Sequence, residues 1–79
     1  MSKPANMLQL FNVGDTIYGY CNGFFGRDSY EDKVCVMVRP KYAVFETEDG
    51  HAEVLNFTSF FQECVVETNE WKEWKQPPE

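Results

Sequence analysis

Three kinds of chemistry are open to the side chains of this sequence. The first is cation recognition. Tyr18, Tyr20, Phe24, Phe25 and Tyr30 cluster early in the chain, interleaved with Arg27, Asp28 and Glu31. Aromatic faces attract cations, more strongly where water is excluded. Phe25, Tyr30, Tyr18 and Tyr20 are therefore candidates for an aromatic groove rimmed by Asp28 and Glu31. Packing is the commoner role for such rings. Phe24 or Phe25 then plugs the end of a small core, while Arg27 clasps Asp28, Glu31 or Asp32 and staples the loop.

The second chemistry is carboxylate binding. Glu46, Glu48, Asp49 and Glu53 gather around one expected turn, where they form either a solvated charged tip or a landing place for a cation or basic partner. They lack the Asp-x-Asp-x-Asp-Gly order of a calcium loop. The third is nucleophilic. His51 is the only histidine, and Cys21, Cys35 and Cys64 are the only thiols. No orienting third residue or local signature supports a Cys-His pair, and no phosphate loop, H-E-x-x-H or G-x-S-x-G is present. The expectation is a protein that is not an enzyme and carries no cofactor or metal. Trp71 and Trp74, spaced i, i+3 beside Lys72 and Lys75, either seal the base of the core or form an exposed anchor of the kind that dominates interfaces.

Charge and size narrow the partners. Seventy-nine residues carry a net charge of −6, which disfavours direct nucleic-acid binding, since phosphate contacts need Lys and Arg. A basic protein partner suits the balance, although net charge also simply maintains solubility. One domain of this size buries only about 60% of its unfolded-chain surface. No apolar run approaches the roughly 20 residues of a membrane span, so no membrane association is expected. The opening "MSKPANMLQLF" lacks the features of a signal peptide. Three unpaired-looking cysteines then point to reduced thiols and a cytoplasmic location.

The elements that must position these residues read mostly as strands. The expected organisation is a flexible tail over 1–7, one β domain over 8–74 and a second flexible tail over 75–79. "VGDTIYGYC" (13–21), "VCVMV" (34–38), "YAVFETE" (42–48), "HAEVLNF" (51–57) and "ECVVET" (63–68) give five strands. A helical turn over 58–62 is capped by Thr58 or Ser59, and 69–75 is either a short helix or a strand end. Gly19 within the first strand predicts a sharp bend or bulge.

Asp49-Gly50, taken as a two-residue hairpin loop, sets Glu46 opposite Glu53, Val44 opposite Leu55 and Tyr42 opposite Phe57. Like charges directly opposed are destabilising, with Lys33 at hand to soften them. A three-residue loop over 39–41 sets Val38 opposite Tyr42 and Val36 opposite Val44. One face then carries Val34, Val36, Val38, Tyr42, Val44, Leu55 and Phe57. The other carries Cys35, Met37, Ala43, Phe45 and Val54. Two apolar faces predict a sheet that curls until its outer face is covered, or a face that meets a partner; that face also permits a homodimer.

This order, a "VGD" opening, a long aromatic loop over 22–33, a three-stranded meander, a short helical turn and a last strand, resembles the Src-homology-3-type small barrel. Within that class it is most similar to Tudor-like domains over roughly residues 11–68. The resemblance implies an all-β, partly open barrel and, if several rings converge, an aromatic cage for methylated Lys or Arg. The function expected is an interaction module: an acidic barrel presenting Tyr18, Tyr20, Phe24, Phe25, Arg27, Asp28, Tyr30, Trp71 and Trp74 to a protein. The alternative is an acidic nucleic-acid mimic or inhibitor of viral type, which needs its carboxylates in one stripe.

Overall fold

The computed structural model describes residues 4–19 and 31–77. Its centre is one antiparallel sheet that curls without closing, in the order β1-β2-β3-β4. The strands are β1 (Thr16–Ile17), β2 (Lys33–Arg39), β3 (Tyr42–Thr47) and β4 (Ala52–Asn56). The expected β-rich antiparallel fold is present. The described residues give four strands, not five, and no barrel. β1 and β4 remain the two edges of the sheet.

The missing fifth strand is helical. Thr58 caps α1 (Ser59–Phe61), its Oγ1 accepting from the Phe61 N–H at 3.0 Å. That turn runs on as a π-helical segment over Gln62–Val66, in which the Glu67 N–H reaches back to the Gln62 carbonyl. "ECVV" has strand-forming residues, but Phe61, Val65 and Val66 bury together against the core. That spacing places them on one side of a helix, and packing overrides the weak β preference. Asn69, at φ 62, reverses the chain into α2 (Glu70–Trp74).

The register near both turns differs from the sequence expectation. At the β3–β4 turn the Gly50 N–H donates to the Thr47 carbonyl and the Thr47 N–H to the His51 carbonyl, each at 2.9 Å. The loop is therefore three residues, Glu48–Asp49–Gly50. Gly50 sits at φ 86, whereas Asp49 is not at positive φ. A two-residue type I′ loop needs positive φ at both positions; a turn followed by one left-handed glycine needs it only at the last. The extra loop residue shifts the pairing by one. Val44 opposes Val54, Ala43 opposes Leu55, Phe45 opposes Glu53 and Glu46 opposes Ala52. The expected Glu46–Glu53 repulsion does not arise, because the two side chains lie on opposite faces.

The β2–β3 loop is the converse: two residues, Pro40-Lys41, with Arg39 opposite Tyr42 and Val38 opposite Ala43. A bulge between Cys35 and Met37 then absorbs Val36, so that Cys35 opposes Phe45 and Lys33 opposes Thr47. One extra residue on one strand switches which parity faces inward. The inner face is accordingly Ile17, Lys33, Cys35, Val38, Ala43, Phe45, Thr47 and Leu55, with Val38 half-buried and the others buried.

The two chain ends complete the core. Met7, expected in a flexible tail, is fully buried in a 3-10 turn over Met7–Gln9 that Asn6 caps through the Leu8 N–H. Leu10 and Phe11 follow it inward, and Phe11 meets Phe45 edge-on at 5.1 Å between ring centres. From the other end, Phe61 packs on Phe57 and Trp74. The Trp74 carbonyl accepts from the Tyr18 N–H at 2.8 Å, so the end of α2 occupies a donor at the β1 edge that a further strand would otherwise take.

Candidate functional site

The outer face of the sheet is built by the same register. Its first cross-strand row is Thr16, Val34, Glu46 and Ala52; the next is Met37, Val44 and Val54; the last is Arg39, Tyr42 and Asn56. Val34, Val36, Met37, Tyr42 and Val54 all remain exposed, Val54 by 55% of its surface. The expectation that this face is covered by curling is not met among the described residues. Isolated exposed apolar residues need no explanation; here several are grouped on one sheet face.

One end of this face is concave. A cleft of about 330 Å³ opens where β2 begins and β3 ends, lined by Thr16, Asp32, Val34, Val36, Glu46 and Glu48. The Val36 bulge is part of its apolar floor. Bulges add local twist and redirect side chains, and here both Val34 and Val36 face out, 41% and 42% exposed. Asp32 is held at the mouth because one of its carboxylate oxygens accepts from the Gly19 N–H at 2.9 Å. Gly19 adopts φ 56, the sharp bend expected of it, and this contact brings together the two ends of the 20–31 connection. Carboxylates from two segments, Asp32 before β2 and Glu46 and Glu48 at the end of β3, thus rim an apolar floor.

The basic residue next to Asp32 does not enter the cleft. Lys33 is fully buried on the inner face, its Nζ donating to the Glu31 carbonyl at 2.8 Å. With Glu46 and Glu53 on opposite faces, the repulsion it was expected to soften does not arise. Glu53 instead sits across from Phe45, with its Oε1 buried and without a hydrogen-bond partner.

A second cation site is already filled by the chain itself. The Lys75 ammonium lies 5.2 Å from the ring centres of both Phe11 and Trp71, 3.1 Å from an Asp15 carboxylate oxygen, and donates to the Leu10 carbonyl. Lys72 also lies over Trp71, at 5.6 Å. Lys75, expected to begin a flexible tail, is a tertiary contact.

The residues singled out in the sequence are dispersed by the fold. Trp71 and Trp74 lie on one helix but do not form an exposed pair: Trp74 is 3% exposed in the core and Trp71 is half-buried under Lys75. Tyr18 is half-buried beside α2. Tyr20, Phe24, Phe25, Arg27, Asp28 and Tyr30 lie outside the described residues, as does Cys21. His51 is exposed at the β3–β4 turn, whereas Cys35 is buried with its thiol directed at the Met37 carbonyl. Burial pushes the Cys35 pKa up, which disfavours the thiolate a nucleophile needs. The expected β2–β3 register already sets Val34 opposite Glu46; what nearby residue types do not give is that Asp32 is brought to the same end by the Gly19 N–H and that this face stays open.

No helix among the described residues is long and apolar enough to cross a membrane. Comparison of the chain with protein-family models, with curated proteins and with solved structures finds no match.

Proposed function

We propose that this chain is a non-enzymatic interaction module that docks a basic protein on the outer face of its sheet. The observation that carries the reading is the exposed patch of Val34, Val36, Met37, Tyr42 and Val54, bordered at one end by Asp32, Glu46 and Glu48. Apolar area supplies affinity, while a charged border steers and orients the partner. The net charge of −6 favours a cationic one. Free thiols at Cys35 and Cys64 suit a cytoplasmic setting. The resemblance to Tudor-like barrels fits a binding role and adds Phe25 and Tyr30 as expected contacts. Substituting either with Ala should weaken binding while the fold persists.

The nucleic-acid-mimic alternative is less favoured. Its stripe of carboxylates would have to run across the β3–β4 hairpin, where Glu46 and Glu53 point to opposite faces.

The test is capture of partners from the source cell, followed by a binding measurement with the purified partner. Val54→Glu should weaken that binding tenfold or more, while Glu73→Gln, at an exposed position of α2, leaves it unchanged. Equal binding by V54E removes the outer face as the docking surface. Doubled mass in light scattering, lost in V54E, would replace the reading with self-association.

A further inference from the structure

The cleft at the β2–β3 end of the outer face has a shape and chemistry more specific than a general acidic border. Its volume of about 330 Å³ is at the lower end for a small-ligand site and suits a single long side chain. The floor is aliphatic, from Val34 and Val36, while Asp32, Glu46 and Glu48 supply negative charge. An amphipathic cation has the matching order: an alkyl stem that lies on apolar surface and a charged head that needs acceptors.

A metal ion fits less well. No three carboxylate, Cys or His groups among the described residues converge as a metal set does, and the valines offer no ligand atoms. Among the described residues neither Glu46 nor Glu48 is engaged by a cation of this chain, and Lys75 is committed to Asp15. Lys33, the adjoining base, is committed to the inner face. The site therefore offers carboxylates around an apolar, partly exposed floor.

We infer that this cleft is a subsite for one arginine side chain of the protein partner, its stem across Val34 and Val36 and its guanidinium between the Glu46 and Glu48 carboxylates. The inference rests on the reading of the outer face as a docking surface. Arginine is preferred to lysine because its planar fork presents five donors and can serve two carboxylates at once, whereas the ammonium is a compact, strongly hydrated point charge. Thr16, in the same cross-strand row as Val34 and Glu46, adds a hydroxyl acceptor at the wall.

The experiment is an amide-resolved NMR titration of the whole chain with N-acetyl-arginine amide. N-acetyl-lysine amide and the neutral N-acetyl-citrulline amide are run beside it. Arginine should shift the Thr16, Val34, Val36 and Thr47 amides, lysine should do so several-fold more weakly, and citrulline should not. Glu46→Gln/Glu48→Gln together should abolish the arginine shifts while leaving the rest of the spectrum in place. Shifts that are absent, scattered over the surface, unchanged in E46Q/E48Q or equal for citrulline overturn the subsite. An equal response to lysine overturns the assignment to arginine. The two claims fail separately: V54E can still abolish partner binding when the cleft ignores arginine, which leaves the docking face and removes only the subsite.

Discussion

Lys75 and Asp15 meet at 3.1 Å between Nζ and Oδ2, and this contact ties the last helical turn to the turn before β1. Asp15 is itself fixed, since the same oxygen accepts from the Asn12 N–H at 2.8 Å. The ammonium is stacked between Phe11 and Trp71, and the ion pair is less than a third exposed, 28% for the Lys75 side chain and 27% for Asp15. A partly shielded cation–π and ion-pair site of this kind contributes about 1 kcal/mol.

Lys75→Met, which keeps the stem and deletes the charge, should therefore lower the midpoint of thermal unfolding by about 4–8 °C. The difference from wild type should shrink in 1 M salt, because screening removes part of what the substitution deletes. A calorimetric comparison at low and high salt reads both effects. An undiminished midpoint would show that the contact adds nothing.

Gly50 tests the three-residue hairpin loop. It sits at φ 86 with open space around the position a Cβ would take. Steric clash is absent, so any cost is backbone strain. Gly50→Val should destabilise by about 1–2 kcal/mol in urea unfolding, with an unchanged m value. A neutral outcome would mean that the chain does not pass through the left-handed region there.

Asn69 tests the break between the π-helical segment and α2. At φ 62 and ψ 19 it occupies a conformation that Asn tolerates and Ala does not. Asn69→Ala should cost about 1 kcal/mol, while Asn69→Gly should stay within about 0.5 kcal/mol of wild type. Chemical denaturation of the pair separates the backbone effect from loss of the amide.

Cys35 links stability to alkaline pH. Burial raises the thiol's pKa in the folded chain. The unfolded chain then releases this proton first, near the ordinary pKa of about 8.5, and stability falls as pH rises above that value. The contribution is fully present below it. The stability gap between wild type and Cys35→Ala should narrow from about pH 8 to 10. In the native protein at neutral pH, a thiol reagent should modify half-buried Cys64 well before Cys35. Labelling in the reverse order would show that the Cys35 site opens.

How much of this was legible depended on whether the deciding interaction was local. The strands of the meander, the Thr58 cap and the bend at Gly19 follow from nearby residue types. The Asp49-Gly50 pair located the hairpin but not its loop length, because only Gly50 takes positive φ, and a shift of one position exchanged the faces of β4. The helix over 62–66 was hidden by Val65 and Val66, whose branching suits a strand until Phe61 is seen packing beside them. Lys75 looked like part of a loose end because its four partners lie in Leu10, Phe11, Asp15 and Trp71. The Val34–Glu46 side of the cleft follows from the expected β2–β3 register, whereas its Asp32 side depends on the contact with the Gly19 N–H, which no nearby residue type announces.

That irregularity at Val36 gives β2 two rhythms. A residue-by-residue substitution scan should find Lys33 and Cys35 intolerant, Val34 forgiving, then two forgiving neighbours in succession at Val36 and Met37, and intolerance again at Val38. Removing Val36 altogether would leave both faces where they are, because Cys35 opposite Phe45, Met37 opposite Val44 and Val38 opposite Ala43 would then form an uninterrupted alternation. The deletion should straighten β2 and erase its extra local twist, not turn the strand over.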